Sequence, residues 1–135
     1  MTVFLDTSAI LAVLNGDDQN HQEADAIWRA LLTAEEALLS TNYVLVETFA
    51  LVQRRLGMDA VRAVEQDVVP LLTIHWLDAA VHRASMSSWL EASRRGLSLV
   101  DCVSFKVMKR HEVRRAFAFD GHFEEQNLEV LRSGG

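Results

Sequence analysis

Glu47 is the acidic residue whose position most needs an explanation. It interrupts residues 44–52, the most apolar helical segment of the chain. Helical spacing predicts Tyr43, Val46 and Ala50 beside it on one face. A carboxylate at such a position is costly to bury unless it is paired, protonated or bound to a metal ion. The alternative is a solvent-facing side chain, because glutamate is rarely buried.

Three aspartates stand beside the ends of predicted strands and helices. Asp6 and Asp120 each follow directly on the last apolar residue of a predicted strand. Both also precede helical residues, and aspartate is a favoured helix N-cap. Asp101 lies three residues after Ser98, in the arrangement of a capping box with Asp in place of the usual Glu or Gln. Each aspartate, taken alone, therefore has a structural explanation as well as a chemical one.

The elements that must position these acids alternate along the chain. Short apolar stretches predict strands at 3–5, 37–40, 71–75 and 116–119, with a possible edge strand at 128–130. Between them, 3.6-residue periodicity and capping signals predict helices at 9–14, 20–34, 42–56, 59–69, 77–95 and 98–112. This alternation indicates an α/β fold, with a parallel sheet between two layers of helices.

On such a sheet the four acids are expected to lie close together. Ligands of open α/β sheets bind beyond the carboxyl ends of the strands, so Asp6 and Asp120 are expected at the same edge. With Asp101 and Glu47 nearby, like charges would crowd together there and repel one another. A divalent cation removes that repulsion, and carboxylate oxygens are the natural ligands of Mg²⁺ and Mn²⁺. The sequence therefore predicts a metal site.

The length and the cysteine content narrow the class of protein. A chain of 135 residues suits a single domain, which we place at residues 1–132 with a flexible tail at 133–135. The one cysteine, Cys102, excludes an intrachain disulfide and a multi-cysteine zinc site. No apolar run reaches the roughly 18–20 residues of a membrane span, and we see no signal peptide. A reducing cytoplasm is the expected compartment.

The formal net charge of −6 argues at first against a nucleic-acid partner. The basic residues are unevenly placed, however. Several fall between residues 106 and 115, and arginine pairs occur at 54–55 and 94–95. Each of these groups also fits a solvated helix face. The net charge lowers the expectation of nucleic-acid binding without excluding it.

Four segments resemble motifs of the PIN-domain family, in particular its small VapC-type ribonuclease toxins. They are residues 4–9 (FLDTSA), 41–47 (TNYVLVE), 97–105 (LSLVDCVSF) and 116–123 (AFAFDGHF). The resemblance covers nearly the whole chain, in order and in spacing. It implies a three-layer sandwich around a five-stranded parallel sheet in the order 3-2-1-4-5. It also implies a pocket that binds Mg²⁺ or Mn²⁺ through four acids, matched here by Asp6, Glu47, Asp101 and Asp120.

The same resemblance implies a function and a set of partners. Proteins of this kind are metal-dependent endoribonucleases that hydrolyse RNA phosphodiester bonds with a metal-activated water. This chain is therefore expected to be the toxin of a toxin–antitoxin pair, with an RNA substrate, a small antitoxin protein and a second copy of itself in a homodimer as partners. The alternative is a non-catalytic PIN-like module that binds protein or RNA without cleaving it.

Further residues are expected to support the metal site and to bind the RNA. Family members carry hydroxyl residues near the first and third acids, and the matching residues are Thr7, Ser8 and Ser104. Ser104 has a local alternative, since a mid-helix serine often donates to the carbonyl one turn earlier. The basic residues expected to hold RNA phosphates are Lys106, Lys109 and Arg110. Their helix begins beside Asp101, and helical spacing puts them on one side.

Overall fold

The computed structural model describes residues 1–134, so Gly135 of the predicted tail lies outside the described residues. Within this range five strands form one sheet, namely β1 Thr2–Leu5, β2 Ala37–Thr41, β3 Thr73–His75, β4 Arg115–Phe117 and β5 Glu129–Val130. The strand order is β3-β2-β1-β4-β5, and every pairing is parallel. The predicted sheet and strand order are confirmed.

Helices join the strands and cover the sheet. Residues 1–134 form α1 Thr7–Leu14, α2 His21–Thr33, α3 Asn42–Leu56, α4 Met58–Ala63, α5 Ala79–Ala92, α6 Leu99–Arg110 and α7 His122–Glu125. On β1 the consecutive residues Val3, Phe4 and Leu5 are at most 1% exposed. Because successive side chains of a strand point to opposite faces, both faces of the sheet are covered at its centre.

Aromatic packing holds the short helix α7 against the central strand. Phe4, Phe117 and Phe123 are fully buried in the main core. The ring centroid of Phe123 lies 6.3 Å from that of Phe4 and 5.1 Å from that of Phe105 on α6. Contacts of this kind add to the free energy gained by burying the rings. They fix the turn that precedes α7, which contains Asp120, relative to β1 and α6.

Two helix ends differ from the expectation. The helix predicted at 59–69 ends earlier, at Ala63, and continues as a π turn and a 3₁₀ turn that contains Pro70 instead of stopping before it. A proline fits the start of a helical turn because its missing N–H has no partner there anyway. The helix predicted at 77–95, α5, was expected to continue up to Gly96. It ends at Ala92, because Ser93 adopts a left-handed conformation (φ 50°). Glycine is the residue that most often adopts this conformation at the C-terminus of a helix.

The fourth strand is also shorter than expected. It ends at Phe117, so Asp120 follows it by three residues instead of directly. The reason is tertiary, since the backbone N–H of Phe119 donates to Oγ of Ser8 (2.9 Å) instead of to a neighbouring strand. The expectation that Asp120 directly follows its strand was therefore wrong, although the residue still lies beyond the carboxyl end of β4.

The end of the described chain is bound to α2. Ser133 donates its backbone N–H (2.6 Å) and its hydroxyl to the carboxylate of Glu23 on α2. In the part of the chain that the structure describes, no helix is both long enough and apolar enough to cross a bilayer.

Candidate metal centre

Asp6 joins the central strand to α1 and is only 4% exposed. Its backbone N–H donates to the carbonyl of Phe117, which fixes its place at the carboxyl end of the sheet. Its side chain caps α1, as one explanation predicts, by accepting from the backbone N–H (3.1 Å) and the hydroxyl (2.6 Å) of Ser8. Both bonds end on Oδ2, and Oδ1 accepts no hydrogen bond from the described residues. Capping and metal binding are therefore compatible in this side chain.

The surroundings of Asp6 disfavour its charged form. Burial raises its pKa from the ordinary 3.8 to about 6, and the nearby carboxylates of Asp101 and Glu47 add to that rise. The two hydrogen bonds from Ser8 oppose it in part. A cation bound beside this buried carboxylate and its two acidic neighbours would stabilise the charged form of Asp6.

Asp101 stands in the first turn of α6 and is 6% exposed. The capping box exists, because Oδ2 of Asp101 accepts from the backbone N–H of Ser98 (3.1 Å) and Oγ of Ser98 accepts from the backbone N–H of Asp101 (3.0 Å). As in Asp6, only one carboxylate oxygen is used, and Oδ1 accepts no hydrogen bond from the described residues. Burial raises the pKa of Asp101, and the neighbouring carboxylate of Asp120 raises it further.

Asp120 and His122 complete a compact group with Asp101. One ligand atom from each of these side chains lies within 4.8 Å of the others. Oδ1 of Asp120 accepts from the backbone N–H of His122 (2.9 Å), which fixes the carboxylate at the start of α7. Sequence reasoning gave no role to His122, although its position two residues after Asp120 was a signal.

Both ring nitrogens of His122 already have partners. Nε2 lies 2.8 Å from the carbonyl oxygen of Gly96, and Nδ1 lies 3.2 Å from Oε1 of Glu125. Burial alone would lower the pKa of His122, but the bond to Gly96 and the carboxylates of Asp120 and Asp101 outweigh it and raise the pKa. The ring thus joins the carbonyl of Gly96 to the start of α7 beside the acids.

Glu47 lies on the second turn of α3 and is half-buried. Its carboxylate accepts no hydrogen bond from the described residues, and its charge helps to raise the pKa of Asp6. The expected apolar neighbourhood was wrong in one respect, since Val46 is 71% exposed and Ala50 also faces solvent. Helix α3 buries Val44, Leu45, Thr48 and Val52 instead. Glu47 therefore borders the core at the acidic group.

The three predicted hydroxyl residues have different contacts. Ser8 bridges the site by donating to Asp6 and accepting from the backbone of Phe119. Thr7 donates to the carbonyl of Val44 (3.3 Å) and lies 3.0 Å from Oγ1 of Thr48, so it ties α1 to α3. Ser104 donates to the carbonyl of Val100 (2.9 Å), which is the local alternative foreseen for it. Among the three, Ser8 is the one in contact with a site carboxylate.

The predicted phosphate-binding residues lie apart from the acids. Nζ of Lys106 is 3.3 Å from Oγ of Ser88 on α5. Lys109 and Arg110 occupy the last turn of α6 and are exposed. At 1.5 Å per residue, Lys109 is about 12 Å along the helix axis from Asp101. Among the described residues, no hydrogen bond or ion pair joins these three side chains to the acidic group. The 94–96 loop does contact the group, because the carbonyl of Gly96 lies 2.8 Å from Nε2 of His122.

The donor set fits a hard divalent cation. Asp6 and Asp101 each offer an uncommitted carboxylate oxygen, and Asp120 and Glu47 add two more carboxylates. Oxygen ligands of this kind suit Mg²⁺ and Mn²⁺. A bound dication would also compensate the charge that burial disfavours at Asp6 and Asp101.

Comparison with known proteins identifies the family of this chain. The sequence pattern of the family described as "PIN domain" matches residues 3–127. The chain belongs to the PIN-domain family. One relative, the 23S rRNA-specific endonuclease VapC20 of Mycobacterium tuberculosis, is 32% identical over 133 residues, which span 96% of this chain and 98% of the relative.

Several solved structures have the same fold. The crystal structure of M. tuberculosis VapC20, described as a sarcin-ricin loop cleaving toxin, matches with a TM-score of 0.84 and 28% identity over 96% of this chain and 98% of that one. FitAcB from Neisseria gonorrhoeae matches with a TM-score of 0.69 and 18% identity over 97% and 96%. DNA-bound VapBC from Salmonella typhimurium matches with 0.65 and 14% over 97% and 98%. The last two similarities concern the fold alone.

Proposed function

We propose that this PIN-domain chain is a divalent-metal-dependent endoribonuclease and the toxin of a toxin–antitoxin pair. The observation that carries the proposal is the convergence of Asp6, Glu47, Asp101 and Asp120 at the carboxyl end of the sheet, with free oxygens on two buried aspartates. Its similarity to an rRNA endonuclease over almost its full length supports the choice of RNA as substrate.

Each acid has a proposed role that follows from its contacts. Asp6 and Asp101, each with one carboxylate oxygen free of protein hydrogen bonds, would hold Mg²⁺ or Mn²⁺ together with Asp120. A cation held there would make water more acidic and would offset the negative charge that builds up on a phosphodiester. Glu47, whose carboxylate is free of protein hydrogen bonds, accepts a hydrogen bond from the attacking water and orients it.

The products follow from attack by water on phosphorus. The water oxygen forms a new bond to phosphorus while the bond to the 3′-oxygen breaks, and the proton released is taken up by the departing 3′-oxygen. This leaves a 5′-phosphate on one fragment and a 3′-hydroxyl on the other.

The proposed partners are an RNA substrate, a second copy of the chain in a homodimer, and a small antitoxin protein. A relative described as a toxin that cleaves the sarcin-ricin loop supports a structured RNA as the substrate class. We place this activity in a reducing cytoplasm, which suits the single buried Cys102.

Calorimetric titration with Mn²⁺, combined with cleavage of a structured RNA, tests the proposal. Wild type is expected to bind Mn²⁺ and cleave, whereas Asp6→Asn and Asp101→Asn lose both properties. Asp67→Asn removes the same charge from an exposed position and is the matched control, expected to behave as wild type. Undiminished Mn²⁺ binding in both site variants would contradict the proposal. RNA or protein binding by wild type without any cleavage would favour the non-catalytic module instead.

A further inference from the structure

A cavity of about 350 Å³ lies at the end of α5, outside the acidic group. It is lined by Trp89, Leu90, Ser93, Arg94, Arg95 and Leu97. Two guanidinium groups thus share one concave surface with an indole ring and with Leu90, whose side chain is 66% exposed. Guanidinium groups bind phosphate, and flat or apolar side chains pack against unstacked bases. The cavity therefore offers contacts for both the phosphate and the base of a single nucleotide.

The loop that forms this cavity is held in place by its own hydrogen bonds. Nε1 of Trp89 donates to the carbonyl of Leu97 (2.7 Å), which fixes the indole across the base of the loop. The backbone N–H of Ser93 donates to the carbonyl of Trp89 (3.1 Å), and that of Leu97 donates to the carbonyl of Arg94 (3.2 Å). A ligand that binds here therefore does not have to order the loop, which lowers the entropic cost of binding.

The same loop borders the metal centre. The carbonyl of Gly96 lies 2.8 Å from Nε2 of His122, and that ring belongs to the group formed with Asp101 and Asp120. Arg94 adds a second tie, since its NH1 lies 2.8 Å from Oε2 of Glu125 on α7. The cavity therefore lies beside the part of the site that contains Asp101 and Asp120. Gly96, which contacts His122, stands in the chain between the cavity residues Arg95 and Leu97.

The two arginines of the loop differ in their contacts. Arg94 is paired with Glu125, whereas Arg95 is exposed and forms no ion pair or side-chain hydrogen bond with the described residues. In a chain of net charge −6 with an acidic centre, a polyanion needs a local positive surface for its approach. Arg95 is a cation of this kind and is the neighbour in sequence of Gly96, whose carbonyl contacts His122.

We propose that this cavity is a subsite for one unpaired nucleotide of an RNA substrate, next to the phosphodiester that is cleaved. Arg95 binds its phosphate, and its base packs against Leu90 and Trp89. Arg94 and His122 are positioning residues, which hold the loop against α7. The inference rests on the proposed function for the identity of the substrate, but it concerns binding and not the chemical step.

Fluorescence anisotropy with a labelled single-stranded RNA, in EDTA so that no cleavage occurs, tests the subsite. Arg95→Gln is expected to weaken binding roughly fivefold to tenfold and to reduce the slope of log K against log salt by about 0.7, the value for one phosphate contact on a single strand. Leu90→Ser is expected to weaken binding about threefold with the slope unchanged, because it removes an apolar contact and no charge. Both side chains are exposed, so neither change threatens the fold.

Arg55→Gln is the matched control, since it removes an exposed arginine in the last turn of α3 that, like Arg95, forms no ion pair with the described residues. We expect its effect on affinity to be less than twofold, well below that of Arg95→Gln. Equal losses for the two variants would overturn the subsite and indicate a diffuse charge effect. Unchanged binding by Arg95→Gln and Leu90→Ser would overturn it too, and would leave the cavity to a protein partner.

The subsite and the proposed function fail in different ways. If wild type cleaves RNA with Mn²⁺ but Arg95→Gln and Leu90→Ser bind RNA as wild type does, the subsite alone is wrong. If wild type binds RNA through Arg95 and Leu90 but does not cleave it, the proposed nuclease activity is wrong and the subsite stands. Failure of wild type to bind any single-stranded RNA in EDTA would overturn the subsite.

Discussion

In the absence of metal, Asp6→Asn should make the protein more stable at pH 8, although it removes a site residue. Asparagine keeps a side-chain oxygen for the two hydrogen bonds from Ser8 and remains a good N-cap. What it loses is a negative charge that burial disfavours. The pKa of Asp6 is raised from 3.8 to about 6, a shift of about two units. At about 1.4 kcal/mol per unit, the charged form costs up to about 3 kcal/mol of unfolding free energy.

The pH window follows from the direction of this shift. A carboxyl group whose folded pKa is raised contributes stability that is fully present below its unfolded pKa, near 3.8, and is lost as pH rises through about 6. The advantage of Asp6→Asn over wild type should therefore be largest at pH 8, smaller at pH 5 and absent below about pH 3.8. For a domain of this size 1 kcal/mol corresponds to roughly 3–6 °C in Tm.

Saturating Mn²⁺ should reverse the order of stability. Wild type should gain about 2.7 kcal/mol at a metal concentration one hundred times Kd, while Asp6→Asn gains little. Urea unfolding followed by tryptophan fluorescence, at several pH values with EDTA or with Mn²⁺, measures these differences. Asp67→Asn, an exposed aspartate, serves as the control and should show neither the pH-dependent gain nor the reversal. A less stable Asp6→Asn at pH 8 in EDTA, or a gain that persists below pH 3.8, would refute the reasoning.

Two serines allow further tests. Ser8→Ala should reduce the unfolding free energy by about 1–2 kcal/mol, because the backbone N–H of Phe119 loses its acceptor. It should also shift the acidic limb of the cleavage rate to higher pH, since the bond from Ser8 lowers the pKa of Asp6; an unchanged limb would argue against the role of this bond. Ser104→Ala should change stability by less than about 1 kcal/mol, because the lost bond to Val100 is local. Its Mn²⁺ affinity should match that of wild type, and a tenfold loss would instead place its hydroxyl in the metal centre.

The signals that sequence reasoning read correctly are local ones. Asp6 follows an apolar strand and precedes a helix, and it forms both the strand end and the cap. The Ser98 and Asp101 capping box needs only four consecutive residues, and it is present. The alternation of apolar strands and amphipathic helices predicted a parallel sheet, and the resemblance to PIN domains supplied its strand order. Such features depend on neighbours in the chain, so composition and periodicity are enough to find them.

The corrections come from contacts between residues far apart in the chain. Strand β4 ends early because Phe119 bonds to Ser8, 111 residues away. Val46 is exposed because packing of α3 against α1 and α6 buries a different side of the helix.

The sequence by itself determined the order of the elements, the N-terminal caps of α1 and α6, and the four acids. Tertiary structure alone decided which oxygens of those acids stay free, how strongly burial raises the pKa of Asp6, and which basic loop lies beside the site. The bond between His122 and Gly96, 26 residues apart, sets that last feature. Burial and like-charge proximity are properties of the packed chain, because every element contributes to the environment of one carboxylate, and no segment read alone contains that information.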